Sequence, residues 1–115
     1  MIDLIIKNAK VATASDLFVC DIGVDKEKIV FLEKNSSKDA KKIIDANNQY
    51  VLPGGVDGHC HLDQRTKDGT EMSDNFESGS RSAVFGGTTT IMPFAIQFKG
   101  ESLRKVIDEY HTRAN

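Results

Sequence analysis

Apolar residues in this chain come in short runs separated by polar turns, and the spacing of the runs changes once. Leu4-Ile5-Ile6, Phe18-Val19-Cys20 with Ile22, Lys28-Ile29-Val30-Phe31-Leu32 and Ile43-Ile44 are two to five residues long and rich in strand formers. Asn8-Ala9, Lys26-Glu27 and Ala46-Asn47-Asn48-Gln49 read as the turns between them, and Asn35 to Lys42 as a polar surface loop. Residues 2–34 therefore read as β-structure, followed by a strand at Lys42–Asp45. Several short strands at close spacing suggest part of a sandwich or small barrel.

The pattern changes at Pro53-Gly54-Gly55, a cluster of helix and strand breakers. Val56 to Leu62 reads as a strand. A helix is predicted from about Asp74, where Asp74-Asn75-Phe76-Glu77 has an acidic cap with Glu three residues on. Phe76, Ser80, Ala83 and Val84 share one face of it, and Gly86-Gly87 stops it. Thr88 to Ala95 is a second, β-branched strand. Leu103, Val106, Ile107 and Tyr110, at i, i+3, i+4 and i+7, predict a second amphipathic helix. Strands alternating with helices imply parallel βαβ units. The expected division is thus residues 1–52, β-structure, and residues 53–115, an α/β segment.

The chemistry lies at the end of the first strand of that segment, in Asp57-Gly58-His59-Cys60-His61-Leu62-Asp63. Residues two apart on a strand face the same side, so His59 and His61 converge while Cys60 points away. Neutral imidazole is a common ligand for zinc and related metals. Two histidines spaced by two near a loop also arise without any metal, so spacing alone leaves both readings open. Asp57 and Asp63 share the parity of the histidines. Two roles are open to them: orienting an imidazole, as carboxylates behind a metal site do, or capping backbone N–H groups. Cys60 reads as a small buried residue and His111 as a solvated residue near a helix end. Gly86-Gly87 lacks the surroundings of a phosphate-binding loop.

The segment Leu52-Pro53-Gly54-Gly55-Val56-Asp57-Gly58-His59-Cys60-His61-Leu62-Asp63 resembles the cyclic amidohydrolases, most closely the hydantoinase and dihydropyrimidinase branch. Asp74-Asn75-Phe76-Glu77-Ser78-Gly79, Phe85-Gly86-Gly87-Thr88-Thr89-Thr90 and the start Leu4-Ile5-Ile6-Lys7-Asn8-Ala9 are similar to the same branch. The resemblance implies an α/β fragment: the N-terminal part of a composite β-sandwich, followed by the first two βα units of a metal-dependent hydrolase TIM barrel. A whole barrel needs about 250 residues, so the chain is expected to be the N-terminal piece of a longer protein, inactive by itself.

The resemblance further implies that His59 and His61 hold one of two divalent metal ions, zinc in most of the family. The remaining ligands, a carbamylated lysine, two histidines and an aspartate, would lie beyond Asn115. Such a metal pair lowers the pKa of a bridging water and polarises a carbonyl, opening a dihydropyrimidine or 5-substituted hydantoin to an N-carbamoyl amino acid. Dihydroorotase and allantoinase share the same half-site. Non-enzymatic assembly proteins related to dihydropyrimidinase usually lack these histidines, and an independent metal-binding module fits poorly with an interrupted barrel. Gln64 and Arg65 open the loop that covers substrate in hydantoinases. That loop tends to be apolar there, whereas here it carries Arg65, Lys67, Asp68 and Glu71, and Arg65 stands where proline is common.

Bulk properties narrow the partners. With 28% charged residues and a net charge of −2 there is no basic footprint for nucleic acid or an anionic membrane. The apolar start is too short for a signal peptide or a membrane span. Two cysteines make no disulfide framework, which fits a reducing cytoplasm. The expected partner is a small cyclic amide, and the family's habit is a homo-oligomer, often a tetramer.

Overall fold

The first apolar run is part of a strand much longer than its sequence suggests. In the computed structural model, which describes residues 1–115, β1 spans Ile2–Ala12 and passes through Asn8 without turning. It pairs with β2 (Leu17–Asp25), Ile6 opposite Ile22 and Ala9 opposite Cys20. One extra residue on β1 is absorbed there as a β-bulge, with Asn8 at φ 54°. The sequence expectation of a turn at Asn8-Ala9 is therefore corrected. Asparagine tolerates the left-handed conformation that both devices use, and here long-range bonds decide for the bulge. The Asn8 N–H donates to Asp21 Oδ1 at 2.9 Å, and its side-chain amide donates to Asp45 Oδ1 at 3.0 Å.

The bulge also decides the core. It puts Ile6 and Ala9, three residues apart, on one face, with Val11, Phe18, Cys20, Ile22, Val24, Ala46 and Val51. Around β1 the sheet is completed by β3 (Lys28–Glu33), antiparallel to β2, and by β4 (Ala40–Asp45) and β5 (Tyr50–Val51), both parallel to β1. The strand order is β3-β2-β1-β4, with β5 on the far end of β1. Lys26 and Glu27 form the predicted hairpin turn with φ of 47° and 64°, and the Lys26 N–H donates to Asp3 Oδ2 at 2.8 Å. Leu17, Val19, Ile29, Leu32 and Ile43 remain exposed. The sheet is the partial sandwich layer expected from the sequence.

Met1–Pro53 and Gly54–Asn115 are separate compact units. The second holds β6 (Gly55–Cys60), α1 (Phe76–Phe85), β7 (Thr88–Pro93) and α2 (Leu103–Ala114), with β6 and β7 parallel. These are two successive βα units of a barrel. Both strands end two residues before the sequence pattern suggests. The last register pair is Cys60 with Pro93, and proline has no N–H to extend the ladder. The cap of α1 is Asn75, not Asp74: its side chain accepts the Ser78 N–H at 2.8 Å while Ser78 Oγ accepts the Asn75 N–H at 3.2 Å. Gly86 and Gly87 end the helix as predicted, Gly87 at φ +87°.

Leu62 is the point on which both helices close. It is buried, and a Cβ on Gly79 would come within 2.3 Å of its Cδ2, so α1 approaches only because position 79 is glycine. Of the predicted α2 face, Val106 and Tyr110 are buried, whereas Leu103 and Ile107 stay substantially exposed. The Tyr110 hydroxyl donates to the Leu62 C=O at 2.5 Å, and its ring packs 4.8 Å from that of Phe76.

Burial pushes the Tyr110 phenol above its ordinary value. A group with a raised folded pKa contributes stability that is present below its unfolded value, about 10, and is lost as pH rises through the folded one. The Gly54–Asn115 unit is thus expected to lose stability above about pH 10, with Tyr110→Phe removing that alkaline component. Urea midpoints of both proteins across this range check it; identical pH dependence would contradict the assignment.

Candidate metal centre

His59 is the penultimate residue of β6, and His61 follows the strand's last residue. Their side chains meet as alternation requires: Nε2 of one lies 3.2 Å from Nε2 of the other, with ring centroids 5.1 Å apart. Two nitrogens about 2.0–2.1 Å from one tetrahedral zinc stand about 3.3 Å apart. The donor pair therefore fits a single ion. Both histidines are exposed. No cluster of three or more His, Cys, Asp or Glu side chains surrounds them. Catalytic zinc usually takes three protein ligands, and this pair offers two.

The carboxylates beside the pair are used by the backbone and by α2. Asp57 Oδ1 accepts the His59 N–H at 3.0 Å. Asp63 has φ 44°, which turns the chain out of the strand, and its N–H donates to the Asp74 C=O at 2.9 Å. Its carboxylate lies 3.6 Å from the Arg113 guanidinium, which also donates to the Asp63 C=O. Cys60 is half-buried rather than fully buried, and burial followed by the Asp57 charge pushes its thiol up. His111 is exposed, as expected.

Gln64 and Arg65 are anchored rather than free. The Gln64 amide donates to the Phe94 C=O at 2.9 Å. Arg65 makes a bidentate pair with Glu101, at 3.0 and 2.7 Å, and lies 3.5 Å from Glu109. Hydrogen bonding to Arg65 holds the Glu101 carboxyl below its usual range. The unexpected positive charge of the loop is thus matched by two acidic residues that no local pattern links to it. A cleft of about 900 Å³ opens beside them, bounded by residues such as Gln64, Thr66, Met72, Ser78, Phe98 and Arg113. His59 and His61 are not among its lining residues.

One aromatic neighbour of the pair belongs to no sequence motif. The ring of Phe94 lies 4.4 Å from that of His59 and 5.5 Å from that of His61, nearly parallel to the latter at 16°. Its only sequence signal is its place at the end of an apolar run.

No family model matches the chain. It is 43% identical over 110 residues to a D-hydantoinase of Geobacillus stearothermophilus, covering 96% of this chain and 23% of that relative. A dihydropyrimidinase of Dictyostelium discoideum is 37% identical over 108 residues, covering 93% and 21%. Among solved structures, one D-hydantoinase matches at a TM-score of 0.91 and 43% identity, covering all of this chain and 25% of its own. The L-hydantoinase (dihydropyrimidinase) of Arthrobacter aurescens matches at 0.83 and 30% identity, covering 99% and 25%. The chain spans about a quarter of the length of the relatives it matches.

Proposed function

The chain belongs to the hydantoinase and dihydropyrimidinase family, whose N-terminal region it matches, and from that premise we propose that the protein carrying it hydrolyses cyclic amides. The substrate is a dihydropyrimidine or a 5-substituted hydantoin. Water adds to a ring carbonyl carbon, the ring C–N bond breaks, the nitrogen takes the proton, and an N-carbamoyl amino acid leaves. The observation that carries this reading is the 3.2 Å convergence of His59 and His61 at the end of β6, where barrel enzymes place functional groups.

His59 and His61 would hold one of two divalent ions, zinc by family resemblance and compatible with imidazole donors. Metal bound there supplies a Lewis acid and a water of lowered pKa. The chain's own part is to present both imidazoles together. Asp57 contributes through the backbone, capping the N–H of His59, and Asp63 turns the chain away after His61. Arg65, neutralised by Glu101 and Glu109, fixes the root of the loop beside the site. The fold supports this as an N-terminal sandwich part over residues 1–52 and the start of the catalytic barrel over 53–115. Family resemblance supports a homo-oligomer. The free thiols Cys20 and Cys60 support a reducing cytoplasm, and no helix is long and apolar enough to cross a membrane.

The test is an assay of the complete protein with dihydrouracil and hydantoins, before and after chelation, with dihydroorotate and allantoin for comparison. Expected is ring opening of the first two, lost on chelation and restored by zinc. Turnover of dihydroorotate or allantoin alone would move the protein to another branch, and metal-independent ring opening would overturn the mechanism.

A further inference from the structure

Phe94 directly follows β7, and both of its backbone polar groups are engaged. Its N–H donates to the C=O of Cys60, the residue between the two histidines, at 3.0 Å. Its C=O accepts the side-chain amide of Gln64 at 2.9 Å. Gln64 is only 9% exposed. Burying a side-chain amide is unfavourable unless it is hydrogen-bonded, so the contact to Phe94 is what makes this placement tolerable. The backbone of Phe94 is therefore clamped from two sides, and its ring lies against both imidazoles. These separations match those of ordinary aromatic pairs.

An exposed histidine samples several χ1 wells and a broad χ2. Ordering two of them at the moment a metal arrives costs conformational freedom. A flat wall beside both rings, carried on a backbone held at both polar groups, removes alternatives in advance.

We infer that Phe94 is a positioning residue for the metal half-site, and that Gln64 is the clamp that fixes it. Phe94 holds His59 and His61 with their Nε2 atoms converged, and Gln64 holds Phe94. The inference rests on the reading of the two histidines as metal ligands, and it assigns Gln64 a task other than touching substrate.

Zinc affinity of the complete, metal-stripped protein, measured by chelator competition, tests it, with the visible spectrum of the cobalt(II) form reporting ligand geometry. Phe94→Ala is expected to weaken zinc binding about 10- to 100-fold, the range for groups that orient metal ligands, and to alter the cobalt bands. Phe94→Tyr, which keeps the flat ring, is expected to retain both properties. Gln64→Leu, which removes the donor, should weaken binding in the same direction. Should Phe94→Ala fail to fold, Phe94→Leu fills the space without a planar face and should still weaken binding. Wild-type affinity in the Phe94→Leu and Gln64→Leu variants, with binding lost in His59→Ala, would overturn the positioning role and leave the half-site standing. Wild-type affinity in His59→Ala would overturn the half-site and the positioning role with it.

Discussion

Replacing His59 or His61 by alanine in the complete protein is expected to empty the metal centre and reduce ring opening to background. The two Nε2 atoms stand 3.2 Å apart with no third donor from this chain beside them, so each variant leaves a single imidazole here. Groups that merely orient a metal ligand are worth about 10- to 100-fold in affinity or activity; losing the ligand itself should exceed that. Cys60→Ala supplies the control. Its side chain lies on the opposite side of the strand, so metal content should stay at the wild-type level. Elemental analysis of the three purified variants, with hydrolysis rates alongside, decides the matter. Full metal content in both histidine variants would remove these residues from the centre.

The second large effect is expected in the other unit, at a carboxylate that plays no part in the chemistry. Asp21 is 3% exposed. Its Oδ1 accepts the N–H of Asn8 at 2.9 Å, and its Oδ2 accepts the N–H of Ser36 at 2.8 Å. Lys7 Nζ donates to the Ser36 C=O at 2.9 Å, adding a second tie to the same loop. Asp21→Ala leaves the two N–H groups without their acceptor, each orphaned donor costing about 1–3 kcal/mol, so a loss of about 3 kcal/mol is expected. Asp21→Asn keeps the shape and one acceptor, and should fall between alanine and wild type. The chain has no tryptophan, so amide hydrogen exchange of β1 and β2 is the suitable probe. Unchanged protection in Asp21→Ala would show that the bulge holds itself.

These two sites also mark what the sequence makes legible. The histidine pair was readable because strand parity is local: two positions, one face. The Lys26-Glu27 turn was readable from the lengths of its flanking runs, even without asparagine or glycine. Asn8 was not, because the same residue serves a turn and a bulge, and only the distant Asp21 and Asp45 distinguish them. The cap of α1 slipped by one residue because Asp74 and Asn75 are both good caps, and the choice fell to the Ser78 hydroxyl. Gly79 carries no local signal of the close contact that Leu62 makes with it. Phe94, Glu101 and Glu109 reach the site through tertiary contacts that no periodicity encodes. The predicted α2 face was half right for a related reason: amphipathic spacing states which residues can be covered, and this stretch of chain covers Val106 and Tyr110 alone.

The central place of β1 has a consequence in time. It comes first in the chain, yet its parallel partner β4 ends only at Asp45, twenty residues after β2 is finished at Asp25. Hairpins such as those of β1–β2 and β2–β3 close in about 1–10 μs, far faster than synthesis at about 5–20 residues per second. During translation, one edge of β1, with Leu4, Ile5 and Ile6 along it, therefore waits roughly 1–4 s for its neighbour. For that interval the nascent chain presents an unpaired apolar strand edge, the surface to which chaperones and stray strands bind.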